Sequence, residues 1–241
     1  MGEWDVHFLG SRERATGTRT FAFERPGDLT YEPGQFFFVL LRGQPATKDP
    51  ADIEHHFSFS SSPTEPNVEF TTRMTGHEFK NRIGALAEGD IVHIAGPDGA
   101  FVLQPGMEKV VHICGGIGIT PARSTVKWAL DSNAGLDIVV LHGNRDSAST
   151  PFREEFEAIR SEKIRWVNVL SEPEEGWTGR TGLIDERLVR TEVPDWAERD
   201  YYVSGPAGMV DGVTKMLLEQ LGVQSRNVYS EHFPGYAAGG G

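Results

Sequence analysis

The chain has 241 residues with 28 Gly, 14 Pro and a single Cys, a length that suits one large domain or two modest ones. Its 23 Lys and Arg against 35 Asp and Glu give a net charge of −12, which disfavours binding to nucleic acid. The longest apolar run, residues 36–41, is far short of the roughly 18 residues needed for a membrane span. One thiol excludes an internal disulfide and a cluster held by four cysteines. With no leader visible at residues 1–5, we expect a cytoplasmic protein.

The first part of the chain carries short apolar or alternating runs that are separated by Gly and Pro. The predicted strands lie at residues 20–23, 35–41, 56–59, 68–72, 91–95 and 100–103, and one predicted helix lies at residues 78–86. Short strands with turn residues between them are typical of an antiparallel sandwich or barrel. We therefore predict an antiparallel β-barrel domain over residues 1–104.

From residue 105 to residue 241, predicted strands alternate with predicted helices. The strands lie at residues 109–114, 137–141, 164–170, 201–204 and 228–231, and the helices at 121–130, 151–160, 183–189 and 206–221. Three of these helices begin with proline, and Thr120 and Thr150 are the predicted N-caps of two. The alternation predicts an α/β domain with a five-stranded parallel sheet, order 3-2-1-4-5, and helices on both faces.

The strongest local pattern is the segment 114–121, in which an apolar strand runs into a glycine turn and a helix. Gly115, Gly116 and Gly118 let the backbone approach a ligand, and Thr120 and Pro121 open the helix. The free N–H groups of a helix N-terminus suit an anion such as a pyrophosphate. A tight turn that needs glycine only for packing is a nearly equal interpretation of this loop alone.

A second glycine loop follows the fourth strand of the predicted sheet. Ser204 and Gly205 end that strand, and Pro206 opens a helix that includes Met209. In a sheet of order 3-2-1-4-5, the first and fourth strands are neighbours, and ligands bind outside their carboxyl ends. Two glycine loops at one switch point therefore favour a dinucleotide site.

Charged residues stand at the end of the second strand, at Asn144, Arg145 and Asp146. In dinucleotide-binding folds this strand end meets the adenosine ribose, where a carboxylate binds a 2′-hydroxyl and an arginine accommodates a 2′-phosphate. Arg145 favours NADP and Asp146 favours NAD, so both cofactors stay open. A solvated pair of turn charges explains these residues equally well.

Two segments of the first domain carry polar and aromatic residues that point to a ligand only in combination. His55 and His56 are adjacent on a predicted strand, where neighbours point to opposite faces, and no spaced set of ligands completes a metal site. We therefore predict no metal. A glycine turn at Gly76 leads into the helix that includes Phe79, and ordinary turn chemistry explains it when it is taken alone.

Together these motifs resemble the ferredoxin–NADP reductase-like family of flavoprotein reductases. The resemblance rests on five ordered motifs and extends from residue 33 to residue 233. It implies a flavin-binding antiparallel β-barrel, followed by a nucleotide-binding parallel sheet. It also implies hydride transfer between NAD(P)H and FAD, with electrons passed to a separate electron-carrier protein, such as a ferredoxin, or to a small-molecule acceptor.

The resemblance assigns the family's Arg-x-Tyr-Ser motif to residues 55–58, with Phe57 packing on the flavin and Ser58 bonding near its N5. The implied flavin contacts are His55, His56, Phe57, Ser58, Phe59, Ser60, Gly76, His77, Glu78, Phe79 and Phe233. The implied NAD(P) contacts are Gly115, Gly116, Gly118, Thr120, Pro121, Asn144, Arg145, Gly205, Pro206 and Met209. The implied catalytic residues are Ser58, Ser204 and Glu231. Tyr236 is a further candidate for stacking on flavin or adenine.

Three departures from the family pattern affect these expectations. His55 replaces the Arg that meets the flavin phosphate, Phe57 the usual Tyr, and Ser204 the usual Cys. Histidine is only partly charged at neutral pH, so we expect weaker flavin binding, with FMN in place of FAD still open. The same departures support a second hypothesis, a non-catalytic regulatory module that binds flavin or nucleotide.

An acidic carrier such as a ferredoxin would need a basic patch on this acidic chain. The candidate patch consists of Arg73, Lys80 and Arg82. Without such a patch, a small-molecule or less acidic acceptor is the better hypothesis.

Overall fold

The computed structural model describes residues 1–41 and 54–233, so Tyr236 lies outside the described residues. The described chain forms two compact units. The first contains the described residues up to 103 together with residues 123–134. The second contains residues 104–122 and the described residues from 135 onward. A domain division at 104/105 differs from these units at residue 104 and at the helical segment 123–134.

In its described residues the first unit is a six-stranded antiparallel sheet of order β4-β3-β6-β1-β2-β5. Its elements are β1 (Gly2–Ala15), β2 (Thr18–Glu24), β3 (Phe36–Leu40), β4 (Glu54–Ser58), β5 (Asn67–Arg73), α1 (Glu78–Gly84) and β6 (Ile91–Asp98). The backbone N–H groups of Ser60 and Ser61, just after β4, donate to the carbonyl of Glu69 in β5 at 2.8 and 3.3 Å. These bonds join the two ends of the strand order and close the sheet into the predicted barrel.

The strands predicted for this unit differ from the observed ones in two places. Residues 100–103 form no strand, and β1 was not predicted. Of the fourteen residues in β1, only Val6 and Phe8 are buried hydrophobic residues, so the apolar alternation is too sparse to recognise. The barrel core is aromatic instead, with the Phe21 and Phe23 rings 5.2 and 5.8 Å from that of Phe70. Such ring pairs bury much of the unit's apolar surface.

The second unit is a parallel sheet of order β10-β9-β8-β7-β11-β12 in the described residues. Its elements are β7 (Lys109–Gly115), the first turn of α2 (Ile119–Asp131), β8 (Asp137–Asn144), α3 (Arg153–Glu157), β9 (Ile164–Leu170), β10 (Arg180–Thr181), α4 (Glu186–Glu192), β11 (Asp200–Pro206), α5 (Ala207–Glu219) and β12 (Val228–Phe233). From residue 123 onward, α2 belongs to the first unit. The predicted order 3-2-1-4-5 is confirmed, and the two-residue β10 adds a sixth strand. None of the helices in the described residues is long and apolar enough to cross a membrane.

The two faces of this sheet differ in chemistry, because side chains alternate along each strand. One face carries Val111, Val139 and Val203, which pack in a single apolar cluster with residues of α4 and α5. The other face carries a polar row near the carboxyl ends of the strands. Register pairs place its members side by side across the sheet: Asn168, His142, Cys114, Ser204 and Glu231.

The predicted N-caps Thr120 and Thr150 were wrong. A 3-10 turn at Gly116–Gly118 leads directly into α2, so Thr120 is already the second residue of that helix. Its hydroxyl donates to the carbonyl of Ile117 at 3.2 Å. The helix α3 begins only at Arg153, after Phe152 with a φ of 58°. The hydroxyl of Thr150 donates instead to the carbonyl of Asp146 at 2.9 Å.

Candidate functional site

The two glycine loops of the second unit, residues 115–118 and residues 204–206, are interlocked. A Cβ on Gly118 would lie 2.3 Å from the carbonyl oxygen of Ser204. A Cβ on Gly115 would lie 2.5 Å from Sδ of Met209. Gly205 has a φ of +146° and sits against the Gly115 backbone, which a Cβ would meet at 3.0 Å. Close packing between the loops therefore requires Gly118 and Gly205, whose neighbours are backbone atoms, whereas the flexible Met209 side chain could move away from a Cβ on Gly115. This packing holds both loops at the carboxyl ends of β7 and β11.

Ser204 braces the two loops from inside the unit. Its side chain is completely buried, and Oγ donates to the carbonyl of Gly118 at 2.8 Å. Cys114 lies beside it, with 3.8 Å between Oγ and Sγ. Burial raises the pKa of the Cys114 thiol to about 12, so this sulfur is protonated and unreactive at neutral pH. This geometry supports a positioning role for Ser204.

His142 holds the first loop from the neighbouring strand β8. Its ring is completely buried, and Nε2 lies 2.8 Å from the carbonyl oxygen of Gly116, which has a φ of 52°. Burial lowers the pKa of His142 to about 4, although the bond to Gly116 acts in the opposite direction. The ring is thus neutral at physiological pH, and because a carbonyl only accepts, Nε2 carries the proton. Sequence reasoning missed this residue, whose only signal is a histidine that ends an apolar strand.

The end of β8 combines a buried amide pair with exposed charges. Nδ2 of Asn144 donates to Oδ1 of Asn168 at 3.0 Å, and both side chains are buried. Oδ1 of Asn144 is buried and has no hydrogen-bond partner in the described residues. Arg145 is 66% exposed, and Nε donates to Oδ2 of Asp146 at 2.9 Å. Of the predicted ribose contacts, Arg145 therefore faces solvent, whereas Asn144 belongs to the polar interior.

In the barrel, the side chains of β4 divide between two faces. His55 and Phe57 pair in register with core residues of β3, while His56 and Ser58 pair with Phe38 and Phe36. The Phe57 ring stacks on Phe70, with 4.0 Å between centroids and 12° between planes. One face of Phe57 is thus already covered, so a flavin could stack only on the other. The outer face carries an aromatic cluster that sequence reasoning missed: Phe36, Phe38 and His56.

Phe59 and Ser60 have packing roles that account for them without a ligand. Phe59 is completely buried, with its ring centroid 3.9 Å from that of Tyr31. Ser60 is also completely buried, and its Oγ accepts a hydrogen bond from Thr71 at 2.9 Å. These two residues consolidate the barrel interior.

The turn into α1 offers backbone rather than side chains to a ligand. Gly76 has a φ of +77° and open space around its Cβ position, and His77 is extended. Glu78 pairs with Arg82, and Phe79 is completely buried with its ring 4.4 Å from that of His55. A flavin phosphate here would therefore rely on the backbone of residues 76 and 77. The flavin roles of these residues stay predictions.

Of the three cations of the predicted docking patch, only Arg73 is fully exposed. Lys80 is only 6% exposed, and burial, with a smaller effect of Arg73, lowers its pKa to about 8. The Arg82 side chain is 16% exposed and is paired with Glu78. The geometry thus gives no support to docking of an acidic carrier through these residues.

Replacing His55 by alanine should reduce flavin retention. The histidine stands where the resembled family has its phosphate-binding Arg, and loss of one hydrogen bond of about 0.5–1.5 kcal/mol corresponds to roughly a twofold to twelvefold weaker affinity. The measurement is flavin occupancy after gel filtration. Because His55 also packs on Phe79, the matched variant is His55→Arg, which should retain flavin at least as well as the parent. Equal occupancy in all three proteins would refute the role.

The parallel sheet, with two glycine loops at its switch point, has the architecture of a dinucleotide-binding domain. The profile described as "Oxidoreductase NAD-binding domain" matches residues 112–215, which include both loops. One component of the Na(+)-translocating NADH-quinone reductase of Yersinia pseudotuberculosis is 33% identical, over 97% of this chain and 68% of the relative. The chain belongs to the ferredoxin–NADP reductase-like family of flavoprotein reductases, whose cofactors are FAD and NAD(P).

Other similar proteins extend this comparison. The glycine betaine monooxygenase reductase subunit of Pseudomonas aeruginosa is 30% identical over 89% of this chain, which spans only 60% of that relative's length. A cytochrome P450 reductase from Amycolatopsis shares the fold, with a TM-score of 0.81 and 23% identity over 96% of this chain and 70% of that one. A ferredoxin NADP+ reductase from Neisseria gonorrhoeae also has a TM-score of 0.81, with 17% identity over 96% and 99% of the two chains.

Proposed function

We propose that this chain is an NAD(P)H-dependent flavoprotein reductase, which passes electrons to a separate carrier protein or small acceptor. The observation that carries the proposal is the pair of interlocked glycine loops at the carboxyl ends of the adjacent strands β7 and β11. This is the switch point of the sheet, where doubly wound folds bind dinucleotides. The match of residues 112–215 to an NAD-binding domain supports the same site.

The residues present fit a dinucleotide at this position. Gly116 is half-buried with its φ of 52°, and the 3-10 turn that it opens runs directly into the thirteen-residue helix α2. The N–H of Ile119 already donates to carbonyls of this turn, so the N–H groups at the start of the turn itself are the ones offered to a pyrophosphate. His142 and Ser204 fix the loop carbonyls, which orients the loops before binding. When bound, the nicotinamide supplies a hydride and the flavin accepts it for onward electron transfer. The chain contributes binding, orientation and exclusion of water.

Two residues of β12 are assigned to the nicotinamide end of this site. Glu231 is half-buried and pairs in register with Ser204, while Phe233 pairs with Pro206. A carboxylate at this position can hold or move a proton, and an aromatic ring can cover a bound ring system. These roles follow from the resemblance and from the register.

The similar proteins indicate the kind of electron acceptor. By name, one of them belongs to a glycine betaine monooxygenase and another to an NADH-quinone reductase. By analogy, we propose an oxygenase component, another redox protein or a small acceptor as the partner. The single Cys in the sequence is completely buried, so no cysteine-held centre in this sequence accepts the electrons. The cytoplasm, where NAD(P)H is available, is the proposed compartment.

A reduction assay tests this function against the non-catalytic alternative. The purified protein is expected to be yellow, and anaerobic addition of NADH or NADPH should bleach the flavin within seconds. A small one-electron acceptor such as ferricyanide should then restore the colour. A protein that binds flavin but stays yellow would support a regulatory module instead. A protein without colour even after incubation with FAD would contradict both hypotheses.

A further inference from the structure

The charges around the end of β8 are arranged in a way that distinguishes the two nicotinamide cofactors. Arg145, the cation expected to meet a 2′-phosphate, already pairs with Asp146. Oδ1 of Asp146 accepts a further hydrogen bond from the backbone of Ser149 at 2.8 Å. These contacts fix the carboxylate beside the guanidinium. The pKa of Asp146 is lowered, first by Arg145 and then by Ser149, so the group is ionised at neutral pH.

The loop after β9 brings more negative charge to the same place. The backbone N–H of Glu172 donates to the carbonyl of Arg145 at 2.8 Å, so the two loops run side by side. The Glu174 carboxylate accepts hydrogen bonds from the hydroxyl and the backbone N–H of Ser147. The hydroxyl of Ser147 is therefore committed to a carboxylate, although a hydroxyl in this loop would otherwise suit a phosphate.

Counted together, the neighbouring charges leave a negative surplus. The second arginine that acts on this loop, Arg153, is paired with Glu157 at 2.8 Å. Two arginines thus stand against four carboxylates, those of Asp146, Glu157, Glu172 and Glu174. A phosphate monoester carries about −1.5 to −2 charges at pH 7 and needs cations. A ribose 2′-hydroxyl needs only an acceptor, which a carboxylate provides.

Resting on the proposed function, we infer that this chain selects NADH over NADPH, with Asp146, Glu172 and Glu174 as the residues that reject a 2′-phosphate. The selectivity is electrostatic, because these partly or fully exposed groups lie beside the end of β8, where doubly wound folds bind the adenosine ribose. It should therefore be strongest at low ionic strength and weaken as salt screens the charges. The reacting atoms are the same in both cofactors, so selectivity should appear in binding and KM rather than in kcat.

The first measurement compares NAD+ and NADP+ binding by titration calorimetry, together with kcat/KM for NADH and NADPH with ferricyanide as acceptor. We expect at least about a tenfold preference for the non-phosphorylated cofactor at low salt, narrowing at high salt. Equal affinities, or a preference for NADP+, would overturn the inference. Because binding is measured apart from turnover, a protein that prefers NAD+ but has no activity would contradict only the proposed function.

Isosteric variants test which carboxylates cause the preference for NADH. In Glu172→Gln/Glu174→Gln, we expect NADPH kcat/KM to rise roughly threefold to tenfold while that of NADH changes less than about twofold. The matched control is Glu88→Gln/Glu162→Gln, which removes the same two charges from exposed residues outside the two loops. If this control raises NADPH use equally, the effect is one of net charge and the assignment to the two loops is wrong. If the double variant leaves the NADH-to-NADPH ratio unchanged, the assignment is also wrong.

Discussion

Gly118→Ala is expected to abolish measurable nicotinamide binding and to destabilise the second unit by about 1–3 kcal/mol or more. The added Cβ would lie 2.3 Å from the carbonyl oxygen and 2.6 Å from the carbonyl carbon of Ser204, and 2.8 Å from Cα of Gly205. All three are backbone atoms, so no side chain can rotate away. The loops must separate, which breaks the bond from Ser204 to Gly118 and moves the start of α2.

The matched control for this variant is Gly212→Ala. Gly212 lies within α5, where a Cβ meets nothing within 4 Å, and alanine is favoured over glycine in a helix by about 1 kcal/mol. This control should be neutral or slightly stabilised. Titration with NAD+ and the thermal unfolding midpoint are the measurements. If Gly118→Ala binds NAD+ with the parent affinity, the loops are not the cofactor site, whatever the effect on stability.

The positions of the glycine loops could be predicted from sequence, but the reason for their glycines could not. A strand followed by glycine and then a helix identifies both loops locally. The requirement for Gly118 comes from contact with the backbone of Ser204 and Gly205, which are distant in sequence, and this contact depends on β7 and β11 being neighbours in register. The role of His142 could not be predicted for the same reason, because its contact with Gly116 joins two neighbouring strands.

In the barrel, the sequence predicted that strands exist but not which face their side chains would occupy. In the run 55–60, His55, Phe57 and Phe59 alternate with His56, Ser58 and Ser60, but the alternation alone does not say which of the two sets faces the barrel core. Pairing with β3 assigns Phe57 to the face of Phe37 and Ser58 to the face of Phe36. A resemblance assigns a role to a residue from its position in the sequence. Strand register determines which face of the sheet the side chain occupies, and therefore whether it can take that role. That is why Ser60, committed to Thr71, is better explained by packing than by flavin binding.

Arg123→Met is expected to destabilise the first unit by about 3–5 kcal/mol, the usual effect of breaking a buried ion pair. Only 5% of the Arg123 side chain and 19% of the Glu65 side chain are exposed. Arg123 donates to Oε1 of Glu65 and to the carbonyl of Ser60, both at 2.9 Å. Its removal leaves the buried Glu65 carboxylate without its counterion and the Ser60 carbonyl without this donor. The double variant Glu65→Leu/Arg123→Met should recover most of the loss, because it leaves no buried charge.

The pH dependence of this effect provides a sharper test. Burial alone would raise the pKa of Glu65, but the hydrogen bonds and charge of Arg123 outweigh it and hold the pKa below its usual 4.5. In the parent, the pair therefore stabilises the fold above about pH 4.5, and this contribution is lost as the pH falls through the lowered pKa. In Arg123→Met, burial should dominate and raise the pKa, so the penalty should be largest at neutral pH and shrink on acidification.

Amide hydrogen exchange in β5 reports the stability of the first unit alone, which matters because two units need not unfold together. The control is Lys127→Met, on the same helix, where the ion pair with Asp131 is about one-third exposed. Since exposed pairs of this kind contribute about 0.3–0.5 kcal/mol, the free energy of unfolding of the control should change by no more than that. A penalty for Arg123→Met that stays constant from neutral to acidic pH would show that the arginine acts through packing of its stem. The buried charge of Glu65 would then make no contribution to the loss of stability.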